Sequence, residues 1–202
     1  MSKITLKPGT LLAPLPAVLV TCGTMEKANA LTIAWTGIIN TIPPMTYISV
    51  RPERHSYPII KETGEFVINL TTSAMAKETD FCGVRSGRDM DKLEKCKLTL
   101  TEGKTVSAPV IEQSPLSLEC KVREIKELGS HHMFIAEITG IQAEERYMDS
   151  KGKLNLQQAG LMAYSHGEYF ALGRKLGDFG FSVRKKSKIS SKISPKRKDG
   201  RK

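Results

Sequence analysis

The sequence predicts a mainly β domain, a barrel or sandwich with a few short helices, and three observations carry that expectation. Short β-branched and apolar runs recur, separated by Gly, Pro, Asn and Asp. One run alternates apolar with polar residues at the period of a strand. There is neither a β-α-β alternation nor a G-x-G-x-x-G loop, which disfavours a doubly wound nucleotide-binding sheet.

The strand-forming runs are 17–21, 31–35, 46–50, 66–70, 116–125 and 133–141. In the fifth, Leu116, Leu118, Cys120 and Val122 alternate with Ser117, Glu119, Lys121 and Arg123, so this strand is expected to bury one face and wet the other. It leads into Glu127-Leu128-Gly129-Ser130, a hairpin turn, and then into the sixth run, giving a long antiparallel ribbon. Helices are expected over 57–63, 74–81 and 91–95. Ser56 is placed to cap the first, Pro58 is tolerated in its first turn, and Gly64 can end it.

The chain of 202 residues, 40% of them hydrophobic, suits one domain with a core of its own. Its net charge is +10, but residues 183–202 hold ten Lys or Arg against Asp199 alone, so the tail carries +9 and everything before it +1. That division predicts a folded domain over 1–182 and a basic, disordered arm over 183–202, a segment with too little apolar surface to offset its ordering entropy. No run approaches the roughly 18 to 20 apolar residues of a spanning helix, and residues 1–8 hold no apolar signal core, so a soluble, cytoplasmic protein is expected. Cys22, Cys82, Cys96 and Cys120 lie far apart without C-x-x-C or zinc spacing, and are read as reduced thiols with no metal site.

Four segments can carry chemistry. Arg51-Pro52-Glu53-Arg54-His55-Ser56-Tyr57 joins a strand to a helix start, where two guanidinium groups, a hydroxyl and free N–H groups suit a phosphate; the same residues also suit a solvated turn. Along 29–37, small and hydroxyl residues followed by Gly37 leave room for a flat ligand near the backbone, or make an ordinary strand with Trp35 in the core. The loop 82–92 is Gly-containing and basic, with Lys92 available to an anion and Asp89 or Asp91 available to cap the next helix. His131 and His132 sit at the ribbon's turn, and because adjacent strand residues face opposite ways, at most one can enter a given site.

Taken in order, these segments resemble the flavin reductase-like family with the FMN-binding split barrel, which includes flavoredoxins. The matching text is Asn29-Ala30-Leu31-Thr32-Ile33-Ala34-Trp35, Ser49-Val50-Arg51-Pro52 with Arg54-His55-Ser56, Phe66-Val67-Ile68-Asn69-Leu70, Cys82-Gly83 with Ser86-Gly87-Arg88-Asp89 and Lys92, and Gly129-Ser130-His131 before a strand. The resemblance runs from about residue 12 to residue 173. It implies a homodimer of Greek-key split β-barrels holding FMN near the subunit interface, with NAD(P)H or a protein as electron donor. On that likeness Asn29, Ala30, Thr32, Ala34, Trp35 and Thr36 flank the isoalloxazine or ribityl chain. Ser49, Val50, Arg51, Ser56 and Lys92 serve the ribityl-phosphate end. His131, Tyr164, His166 and Tyr169 lie toward the donor. The family often has Asp and Thr where this chain has Ser130 and His132.

Three other readings stand beside this one. A flavoredoxin-type carrier would exchange electrons with a protein and not with NAD(P)H, and a pyridoxamine-phosphate-oxidase-like enzyme could use the same barrel. A β-barrel with a basic arm also fits nucleic-acid binding, although the arm lacks interleaved aromatics for base stacking. At the least, the arm offers weak contact with polyanions.

Overall fold

Each β-branched run becomes a strand, its ends shifted by one to a few residues. The computed structural model describes residues 1–184. Along these the order is β1 (Leu15–Pro16), β2 (Val18–Cys22), β3 (Asn29–Ile33), β4 (Thr36–Thr41), β5 (Pro44–Val50), α1 (Ser56–Thr63), β6 (Glu65–Leu70), α2 (Ala76–Val84), α3 (Lys92–Lys95), β7 (Leu100–Thr101), β8 (Val110–Ile111), β9 (Leu116–Glu127), β10 (His132–Ala143), β11 (Met162–Ser165) and β12 (Glu168–Ala171). Arg184 ends the described part, so the basic arm expected over 183–202 lies outside the described residues from 185 onward. Among the described residues no helix is long and apolar enough to cross a membrane, and the four cysteines are free thiols.

Seven strands form one antiparallel sheet in the order β3-β2-β6-β9-β10-β5-β4. Its two edges, β3 and β4, are consecutive in sequence and joined only by Ala34 and Trp35. So short a link forces the sheet to curl until β3 comes against β5, and the Ser49 N–H donates to the Trp35 carbonyl at 3.0 Å, carrying the β4–β5 ladder into the link. The result is a closed but split barrel.

Val18, Val20, Leu31, Ile48, Phe66, Ile68, Cys120 and Phe134 fill the interior. Residues of β2 and β3 that point outward, Leu19 and Ala30, are covered by Met75, Cys82, Leu93 and Ile111 from α2, α3 and the strands beyond. Both faces of β2 are therefore buried, which matches its unbroken Val-Leu-Val-Thr-Cys run.

The same layer corrects the reading of β9. Ser117 and Glu119 were expected to face water, yet they are 1% and 0% exposed. The segment between β7 and β8 folds over that face, and the polar side chains bind it. Glu119 Oε2 accepts from the Lys104 and Thr105 N–H groups at 2.8 and 2.5 Å and from the Thr105 hydroxyl at 2.9 Å, while Oε1 accepts from Gln142 at 2.9 Å. Nearby, Asn69 Oδ1 accepts from the Ser117 hydroxyl and the Ile111 N–H. The other half of β9, beyond Val122, pairs with β10 as the long ribbon and turns at Gly129.

Two local expectations also change. Ser56 is the first residue of α1 and not its cap, since His55 holds the cap position without a side-chain bond; Gly64 ends the helix with φ +67°. The run ending at Gly37 is two strands, and Gly37 packs against the Tyr47 ring within the β4–β5 pairing. Asp91, as one of the two alternatives expected, caps α3 through Leu93 and Glu94.

Candidate functional site

The barrel seam is also where the chemistry-bearing segments meet. A cleft of about 500 Å³ opens there. The end of β3 and the Ala34–Trp35 link form one wall, the end of β5 and the start of α1 a second, and the loop from α2 to α3 a third, with His131 reaching over from the ribbon. Asn29, Thr32, Ala34, Trp35, Ser49, Val50, Arg51, Ser56, Lys92 and His131 all line it.

The remaining candidates lie elsewhere. Ala30 points into the layer beneath α2, and the Thr36 hydroxyl donates to the Tyr47 carbonyl at 2.5 Å inside the β4–β5 pair. Tyr164, His166 and Tyr169 belong to the β11–β12 hairpin and do not line the cleft. There Tyr164 and Tyr169 stack edge to face at 5.5 Å. Burial and then the Asp80 carboxylate push the Tyr169 phenol up to about 12.

At its deep end the cleft is polar, and the side chains there are buried. Lys92 is 3% exposed, and its ammonium donates to the Cys82 carbonyl at 3.1 Å. Among the described residues no carboxylate comes within ion-pair distance of it. Burial holds its pKa below the usual lysine range, the response of a cation that has lost water without gaining an anion. Beside it the Ser56 hydroxyl accepts from the Asn29 side-chain amide at 2.6 Å. Its own proton is left for an acceptor better than the neighbouring Cys22 thiol, which burial raises to about 11.

Gly87 closes this end. A Cβ there would lie 2.2 Å from Asn29 Oδ1 and 2.8 Å from His55 Cδ2, so only glycine lets the loop seat so closely. The sequence reading did not single out Gly87 or Arg85 as site residues, because nothing local marks a loop that meets Asn29 from 58 positions away.

The open end is aromatic. Trp35, 37% exposed, lies with its ring centroid 4.4 Å from that of His131. His132 turns the other way, as adjacent strand residues must, and meets the Tyr57 hydroxyl at 2.8 Å. Burial first, and then the Arg51 cation, hold His131 below the usual imidazole range. The imidazole is thus neutral at pH 7 and leaves its ring face to Trp35. Because its folded pKa is depressed, its contribution to stability is present above the ordinary imidazole pKa and is lost as pH falls through it toward the folded value. We expect the His131 ring protons, followed by NMR, to titrate below those of a free histidine, and Trp35→Leu to return the midpoint toward the ordinary value.

Around the cleft stand Arg51, Arg54, Arg85, Arg88 and Lys92 against Glu53 alone, a net charge of +4. A concave site of this sign concentrates anions, and its flat aromatic end suits a planar ring.

The comparisons with known proteins agree with this geometry. Residues 11–173 match the family model described as "Flavin reductase like domain". A protein of Archaeoglobus fulgidus is 33% identical over 144 residues, covering 71% of this chain and 81% of that protein. Flavoredoxin of Desulfovibrio vulgaris (Miyazaki F) superposes with a TM-score of 0.84 at 28% identity, covering 91% of this chain and 100% of that one. Flavoredoxin from Methanosarcina acetivorans gives 0.83 at 28% identity over the same shares. With the barrel, the seam and the matched span in agreement, this chain belongs to the flavin reductase-like family and has its split-barrel fold.

Proposed function

We propose that the chain is a flavoprotein oxidoreductase that holds FMN in the seam cleft and passes electrons from NAD(P)H to free flavin or another acceptor. Lys92 carries the reading. A buried ammonium with one neutral partner is unfavourable by itself, and it becomes favourable when a phosphate supplies the missing charge and accepts its remaining N–H groups. The residues present fit such a ligand: a buried cation lies at the closed end with arginines at the entrance, and an indole and an imidazole lie at the open end.

In this reading Lys92 and the Ser56 hydroxyl hold the phosphate, aided by the N–H groups where α1 starts, while Arg51 and Arg54 add charge at the entrance. Asn29 orients Ser56 by donating to it. The Ala34–Trp35 link, where the strand ladder is interrupted, offers backbone groups to the flat ring, and Trp35 with His131 limits water at its exposed side. When bound, FMN supplies the hydride and electron chemistry itself, so the protein's part is to bind, orient and exclude water. No side chain is required as a nucleophile or a general acid. The likeness to the two flavoredoxins favours a second reading, a carrier whose electrons come from a protein.

The absorbance spectrum of the purified full-length chain, with and without added FMN, tests this directly. A yellow protein with the two flavin bands, bleached when NADH or NADPH is added without oxygen, is the expected result. A yellow protein that ignores both nucleotides moves the assignment to the carrier. A colourless protein that takes up no FMN overturns the reading.

A further inference from the structure

We propose that Arg85 and Arg88 form a second anion subsite on the rim of the cleft, made for the 2′-phosphate of the nicotinamide donor, so that NADPH is preferred over NADH. This rests on the reading that FMN occupies the cleft.

The argument begins with the charge. A phosphate monoester brings at most two negative charges, and the cleft lining carries a net +4. About two positive charges are therefore left over after FMN binds. They can be located, because the other cations are accounted for. Lys92 at the deep end takes the FMN phosphate in the reading above, Arg54 donates to the Gly83 carbonyl at 3.1 Å, and Arg51 pairs with Glu53 at 2.7 Å. Among the described residues neither the Arg85 nor the Arg88 guanidinium meets a carboxylate or donates a hydrogen bond. Both line the cleft and both are exposed.

The loop that presents them is fixed. Arg85 leaves α2 in an extended conformation. Gly87, between the two arginines, is seated against Asn29 and His55. The Arg88 N–H donates to the Ser86 hydroxyl at 3.2 Å, and the Asp89 N–H to the Ser86 carbonyl at 3.3 Å. Two guanidinium groups flanking one anchored glycine face the same cleft and together carry the charge that a phosphate dianion needs, with planar forks suited to its oxygens. An acidic protein surface would instead call for cations spread over a wider face. A donor whose nicotinamide reaches the open end of the same cleft must seat the rest of its chain along the rim, and these two arginines are the unengaged cations that rim offers.

The test uses the FMN-loaded full chain and calorimetric titration with adenosine 2′,5′-bisphosphate and adenosine 5′-monophosphate, neither of which can reduce the flavin. The bisphosphate is expected to bind roughly tenfold more tightly. In Arg85→Gln/Arg88→Gln that ratio falls to within about twofold, whereas Lys151→Gln/Lys153→Gln, which removes the same charge from an exposed loop outside the cleft, keeps it. Equal affinities in the parent protein, or an unchanged ratio in the arginine double variant, overturn the subsite and leave the FMN assignment standing. A chain that cannot be loaded with FMN, seen beforehand in its visible spectrum, overturns the FMN assignment itself.

Discussion

Lys92→Met lowers FMN affinity by roughly a hundredfold, equivalent to about 2.7 kcal/mol, and at the same time leaves the ligand-free protein as stable as before or more so. The two effects have one cause. In the ligand-free protein the ammonium is buried with only the Cys82 carbonyl to receive its hydrogens, and burial drives its pKa down. Methionine fills nearly the same volume without a charge, and such replacements of buried ions are often neutral or stabilising. With FMN bound the sign reverses, because the lost cation leaves a phosphate among buried groups without its counter-charge. A fluorescence titration of FMN together with thermal melts of the ligand-free chain checks both halves. A melting temperature that falls sharply with FMN affinity unchanged would make Lys92 a structural residue and remove the main support for the phosphate assignment.

Glu119→Leu is the larger effect on stability, a loss of roughly 3 to 5 kcal/mol and of about 10 °C in melting temperature. The leucine leaves the Lys104 and Thr105 N–H groups and the Gln142 amide, which converge on the buried Glu119 position, without their acceptor. Glu119→Gln should lose less than half as much, since one oxygen remains for the two N–H groups and Gln142 can rotate to present its own. Burial pushes the Glu119 carboxyl up, but the hydrogen bonds from Thr105, Gln142 and Lys104 outweigh it and hold the pKa below the usual carboxylate range. A depressed carboxyl stabilises the fold above its unfolded pKa, and that contribution is lost as pH falls through the folded value. Melts at neutral and acid pH should show the parent losing stability on acidification more steeply than Glu119→Leu.

Much of this architecture was legible because β-branching and turn residues are local signals. The runs that became β2, β3, β5, β6, β9 and β10 announced themselves, and the spacing of Arg51, Arg54 and Ser56 before a helix pointed to one spot, where the structure brings the three together. What stayed hidden was set by contacts distant in sequence. Glu119 reads as a solvent residue in an alternating strand, and only the segment folded over it makes it a buried acceptor. β4 escaped notice because Gly37 and the Pro43-Pro44 pair look like breakers, and its Ile38 and Ile39 are exposed and so define no core face. Lys92 stood out through family likeness more than through pattern, since a lysine opening a short helix gives no sign of its burial. Arg85 and Arg88 belonged to a loop that looked merely basic until Gly87 was seen to anchor it.

The two-residue link between β3 and β4 has a consequence for how the molecule is made. The barrel cannot close until β5 has found β10, more than 80 residues later in the chain, and pairings of that span are slow to form. The cleft is complete only after that closure, because its residues come from four separated stretches and one of them, His131, belongs to the ribbon's turn. A ligand of that cleft meets its full set of contacts only in the finished barrel, and it then secures that barrel by mass action, in proportion to its free concentration.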